Sequence, residues 1–84
     1  MTQRGKLYAK FLAGRSLSFM EFCQLLEAFG YRHVRTTGSH RAYHHVEAQD
    51  TRIIQPDGKD AKGYQVRQFR DTIERKGLAM EDGG

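Results

Sequence analysis

The 84-residue chain has one cysteine, one proline and no tryptophan, and no apolar run in it approaches the roughly 18 residues that a membrane span requires. A lone cysteine, Cys23, closes no disulfide within the chain. Its place inside an apolar helical pattern reads as a buried thiol in a reducing cytoplasm rather than as a nucleophile. The opening, MTQRGKLYAKFLAGR, is punctuated by charges, so no secretory signal is expected and the expected location is cytoplasmic. A chain this short makes one small domain that buries only about 60% of the surface its unfolded form exposes. That leaves no room for a cofactor domain, and any site must be shallow.

Acidic residues are also missing locally. No Asp or Glu lies between Glu27 and Glu47, whereas Arg32, Arg35, Arg41 and all four histidines fall in that gap. The net charge of +4 therefore understates how basic one part of the molecule is. Small basic domains favour polyanionic partners, usually nucleic acid, because Lys and Arg release counterions condensed on phosphates. The alternative is a charged surface that is merely solvated.

What is present falls into a helix, strands and a second helix, with a short helix ahead of them. In KLYAKFLAG the apolar Leu7, Tyr8, Phe11 and Leu12 share one face of about two helical turns that close on Gly14. SFMEFCQLLEAFG opens with Ser18 and Glu21 at capping-box spacing; Phe19, Phe22, Cys23, Leu26 and Phe29 form a helical stripe, and Gly30 supplies the stop. From Tyr31 the pattern changes to short β-branched and aromatic runs. YRHVRT is a first strand, Thr37-Gly38 a turn, SHRAYHHV a second strand, EAQD a turn and TRIIQ a third strand. Pro56 to Gly63 reads as a polar loop. Tyr64, Val66, Phe69 and Ile73 then return to helical period in a helix ending at Gly77, with Leu78 available to tuck back. The expected division is an N-terminal extension with a short helix at 1–17, an α-β-β-β-α domain at 18–78 and a flexible tail at 79–84. The fold class is α+β: a three-stranded antiparallel sheet with helices on one face and the other face open. Double-stranded RNA-binding domains use the same order of elements.

Three of the four histidines lie within TTGSHRAYHH, between His40 and His45. Strand geometry argues against a shared metal: His44 and His45 point to opposite faces, and His40 and His44 share a face but lie roughly 13 Å apart, far beyond the 2.0 to 2.1 Å reach of zinc ligands. Ser39 and His40, both extended, point apart and do not make a nucleophile–base pair. Acid/base chemistry on RNA needs less, because the 2′-hydroxyl is the nucleophile; one imidazole to move a proton and cations to hold the phosphate suffice. His40 beside Gly38, near Arg35 and Arg41, has those ingredients. On residue type alone each histidine is equally well read as a surface strand residue, and that reading is preferred for His33, His44 and His45.

The segments LSFMEFCQLLEAFGYRHVRTTGSHRAYHH and IIQPDGKDAKGYQVRQFRDTIERKGL together resemble the HicA toxins of bacterial toxin–antitoxin pairs, in particular longer variants with an extra N-terminal helix. The likeness runs from about Leu7 to Leu78. It is carried by Gly38-Ser39-His40 directly after a strand, by Tyr43 beyond that histidine, and by YQVRQF at the start of the last helix. The resemblance implies a double-stranded-RNA-binding-like fold and a metal-independent mRNA interferase, silenced by a HicB-like antitoxin, monomeric alone and oligomeric in the antitoxin complex. It also implies that His40, the histidine of the Gly-Ser-His motif, is catalytic. Many members carry a second histidine after that motif, where this chain has Arg41, and many have Pro just before the last helix, where it has Gly63. Gly38 and Ser39, with Arg35 and Arg41, are candidate phosphate contacts; Lys59 and Lys62, ahead of the last helix, are candidates for tracking the RNA backbone. The alternative is a non-catalytic RNA-binding module of the same fold, and a further one is a protein-interaction domain whose basic face meets an acidic partner.

Overall fold

The computed structural model describes residues 3–80. Its elements run α1 (Gln3–Leu12), α2 (Phe19–Ala28), β1 (Arg32–Thr37), β2 (His40–His45), β3 (Asp50–Ile54), β4 (Pro56–Asp57), β5 (Asp60–Ala61) and α3 (Gly63–Lys76). Strands β1 to β3 form the expected antiparallel meander in the order β1-β2-β3. Of the expected tail at 79–84, residues 81–84 lie outside the described residues, and Met80 packs partly buried against the core.

The capping box forms as the Ser18/Glu21 spacing requires. The Glu21 N–H donates to the Ser18 hydroxyl at 3.1 Å and the Ser18 N–H donates to the Glu21 carboxylate at 2.8 Å, so α2 starts with two of its free backbone donors satisfied. Lys10 of α1 reaches the same carboxylate at 2.8 Å. Helix α1 is thereby tied to the start of α2, and its Leu7 and Phe11 complete the core. At the centre of that core is Phe69 of α3, fully buried, with ring centroids of Phe11, Phe22, Phe29 and Tyr31 at 5.8, 5.9, 5.4 and 5.7 Å. Such tilted and edge-on aromatic contacts add to simple area burial. The sheet contributes Tyr43 and Ile54 to the same cluster.

The stretch read as a polar loop, Pro56 to Gly63, is a correction: it folds into a two-stranded hairpin in which Pro56 faces Ala61 and Asp57 faces Asp60. Gly58 at φ 64 makes the tight reversal between them. The hairpin is stitched to the start of α2, since the Phe19 N–H donates to the Lys59 carbonyl at 2.9 Å and the Ala61 N–H to the Leu17 carbonyl at 3.0 Å. The main hairpin turn is shifted by one residue from its expected place. Thr37 pairs with His40, leaving Gly38-Ser39 as the loop, with Gly38 at φ 60. Glycine at positive φ in the first loop position suits the right-handed twist of the flanking strands.

Two carboxylates make the fold acid-sensitive. The Lys10 ammonium and the Ser18 N–H hold Glu21 below its ordinary value of 4.5. Burial pushes Asp50 up, but the Tyr31 hydroxyl and Arg52 guanidinium, bonded to it at 2.6 and 2.8 Å, leave it below its ordinary 3.8. A carboxyl depressed in the folded state stabilises it fully above the unfolded value and loses that contribution as pH falls through the folded one. Melting temperature is therefore expected to be flat above about pH 5 and to drop progressively below it. Lys10→Met should shallow that drop, which a series of thermal melts from pH 7 to pH 2 measures; an unchanged acid slope would remove the Lys10–Glu21 contribution.

Candidate functional site on the open sheet face

Pairing partners in an antiparallel ladder share a face, so the register sorts the sheet side chains. Arg41, Tyr43 and His45 of β2 lie opposite Ile54, Arg52 and Asp50 of β3, and this set faces the helices. On the other face the rungs are Thr37–His40, then Arg35–Ala42–Ile53, then Arg32–His44–Thr51. Among the described residues these rungs carry no acid, and their cations are Arg32 and Arg35.

Arg35 reaches this face because of an irregularity. The ladder slips between His33 and Arg35, so Val34 is left over as a bulge. With regular pairing Arg35 would fall opposite Arg41 and point towards the helices; the extra residue turns it to stand beside Ala42. Arg35, Thr37, His40, Ala42 and Ile53 then line a depression of about 280 Å³.

His40 is exposed at the rim of this depression, and its ring has no hydrogen-bond partner among the described residues. The other histidines are engaged. His33 packs its ring 5.3 Å from that of Tyr43 and sets Nε2 2.7 Å from the Thr36 hydroxyl. His44 Nδ1 lies 2.9 Å from the Thr51 hydroxyl. His45 stacks edge-on to Tyr31 at 5.1 Å, and its Nδ1 accepts from the Ala48 N–H at 3.0 Å. Among the described residues no three His, Cys, Asp or Glu side chains gather as metal ligands.

Of the sequence-selected residues, the structure brings Arg35, Gly38, Ser39 and His40 together at the β1–β2 end of the open face. Arg41 is not with them. Its side chain turns to the helix side, where Nη1 lies 3.7 Å from Cys23 Sγ and the guanidinium carbon 5.6 Å from the centre of the Phe19 ring. The Tyr43 hydroxyl and Cys23 thiol beside it hold Arg41 above its ordinary range, while burial, followed by the Cys23 contact, pushes Tyr43 up to about 12. Lys62 caps the start of α3 without a side-chain cap bond and reaches Gln55 at 3.4 Å. Gln65 accepts the Gln55 N–H at 3.1 Å, clamping this helix start to the end of β3, which is also the His40 end of the sheet. Lys59 is exposed in the β4–β5 turn next to the start of α2. Thr37, Ala42 and Ile53 are pocket residues that motif reading passed over; strand alternation outward from His40 finds Ala42, and only the register finds Ile53.

These features define a small α+β domain, helices on one side of a three-stranded sheet and, on the other, a basic face with no acid among the described residues. Residues 19–77 match the family described as the HicA toxin of bacterial toxin–antitoxin pairs. The chain belongs to the HicA toxin family and is a toxin of that class. No curated protein and no solved structure compared with the chain matches it. Helix α1 lies outside the matched residues.

Proposed function

We propose that the chain is an mRNA interferase, a ribonuclease that cleaves transcripts with His40 as its acid/base group and is held silent by a HicB-like antitoxin. The observation that carries this reading is the placement of His40: exposed, without a hydrogen-bond partner among the described residues, and sharing one depression with Arg35 on a face that carries no acid among those residues. RNA supplies its own nucleophile. His40 takes the 2′-hydroxyl proton, or returns one to the departing 5′-oxygen, while Arg35 balances the charge that grows on the phosphorus centre. The product of that displacement is a 2′,3′-cyclic phosphate and a 5′-hydroxyl. The Gly38-Ser39 turn, with no Cβ at Gly38 and open space around it, lets backbone come close to a phosphate. Lys62, which reaches Gln55 just past the end of β3, and Lys59, in the β4–β5 turn beside the start of α2, are further candidates for tracking the RNA backbone. Induced expression of the parent chain, with growth and transcript ends read in parallel, tests the reading: arrested growth with intact transcripts would favour the non-catalytic binding module.

Affinity for single-stranded RNA should fall with salt. With about four phosphate contacts, log affinity against log salt is expected to have a slope near −3. Arg35→Ala should lower that slope by about one contact, roughly 0.7, and slow cleavage as well. Arg41→Ala, whose guanidinium is engaged on the helix side, should change the slope less. A flat salt response would point instead to a protein-interaction domain.

The antitoxin should compete with RNA for this face, because covering it removes charge and access together. Simultaneous binding of RNA and antitoxin at the open face would rule that out.

A further inference from the structure

We propose that the depression beside His40 is a subsite for one unpaired nucleobase, flanked by Arg35 and Ile53 and floored by Ala42, so that the substrate is single-stranded at the cut and the base next to it is selected. The proposal rests on the ribonuclease reading of His40 and adds the substrate form and the specificity residues.

The three residues form a single rung: Arg35 pairs with Ala42 and Ala42 with Ile53. Neighbouring strands lie about 4.8 Å apart, which sets the outer two backbones about 9.5 Å apart across the small alanine. Such a gap admits one planar ring between the side chains. Its walls suit a base: a guanidinium, which stacks on ring faces, on one side, and on the other an isoleucine left 52% exposed. Ala42 lines the depression but is only 3% exposed, so a base sits between the flanking side chains with little contact to the alanine itself. The volume, about 280 Å³, falls just below the range of roughly 300–1,000 Å³ for small-molecule pockets and suits one base rather than a base pair. A base stacked and paired in a duplex has both faces covered and cannot enter without being flipped out. Charge favours an occupant of the same kind: with Arg32 and Arg35 on the face and no acid there among the described residues, the site suits a base carried on an anionic backbone.

Position fixes which base is read. Successive rungs on one face are about 6.6 Å apart, so the alanine rung is the immediate neighbour of the Thr37–His40 rung. A nucleotide whose base sits over Ala42 therefore adjoins the phosphate held at His40.

The test uses the full chain with a randomised single-stranded RNA, its cleavage ends mapped by sequencing. In parallel, the His40→Ala chain is titrated with tetranucleotides that lack each base in turn. Ile53→Ala and Ala42→Leu, checked for fold by circular dichroism, are expected to flatten the base preference at one position flanking the cut. Both should raise KM by roughly tenfold with a smaller change in kcat. One abasic tetranucleotide should bind the His40→Ala chain roughly tenfold more weakly than the complete one, and Ile53→Ala should erase that difference. Folded variants that cut with unchanged preference and KM, or abasic oligonucleotides that all bind as tightly as the complete one, would overturn the subsite. Equal cutting of duplex and single strand would do the same. A parent chain that cuts no RNA yet shows the abasic difference removes the ribonuclease reading and keeps the subsite; a parent that cuts without any abasic penalty does the reverse. Should Ala42→Leu not fold, Ile53→Ala, at a half-exposed position, decides alone.

Discussion

Replacement of His40 by alanine is expected to lower the rate of RNA cleavage by roughly two to four orders of magnitude, the range typical of removing a positioned acid/base group. The same change should leave folding nearly untouched, within about 0.5 kcal/mol, because the side chain is exposed and bonded to nothing among the described residues. RNA binding should survive, since affinity is assigned to the arginines and lysines around it. Three measurements on one variant therefore separate the readings: single-turnover cleavage, an RNA titration and a thermal melt. A folded variant that binds RNA and no longer arrests growth supports the nuclease. A folded variant as toxic as the parent sinks the catalytic role of His40, and an unfolded one makes His40 a structural residue.

Much of this architecture was legible because local and global signals agree. Ser18 and Glu21 sit at the spacing that their hydrogen bonds require, and the Phe22–Leu26–Phe29 stripe meets Phe69 in the core as its period implies. The alternating β2 sequence likewise separates His40 and His44 from Tyr43 and His45. Three features escaped sequence reading, each for a physical reason. The β4–β5 hairpin is built from two-residue strands too short to show a period, and part of its backbone pairing goes to the segment before α2, a long-range partner. The bulge at Val34 leaves no mark in RHVRTT, yet it decides that Arg35 joins His40. Arg41 adjoins His40 in sequence, but extended backbone sends it to the opposite face, where Phe19 and Cys23 receive it. Adjacency in sequence is thus a poor guide to a site on a strand, and the register is a good one.

A large loss of stability is expected from Phe11→Ala, at a position outside the residues that match the toxin family. If α1 were an appendage, truncating a side chain on it would cost little. Phe11 instead is 2% exposed, and its ring lies 5.8 Å from the Phe69 ring at the centre of the core and beneath the Arg70 guanidinium at 5.9 Å. Removing a buried phenylalanine costs about 3–5 kcal/mol, part of it for the cavity left behind. The whole stability of a domain is about 5–15 kcal/mol, and one this small is placed towards the lower end. Phe11→Ala should therefore shift the urea midpoint strongly and leave a sizeable unfolded fraction at growth temperature. Leu12→Ala, one residue on but 47% exposed, should stay within about 0.5 kcal/mol of the parent. The His40 pocket is on the far face of the sheet, so the Phe11→Ala chain should be less toxic on expression through loss of folded protein, and cooling should restore toxicity. Equal urea midpoints for Phe11→Ala and the parent would show that α1 is dispensable to the core; a midpoint shift without loss of toxicity at growth temperature would show that the remaining stability suffices for function.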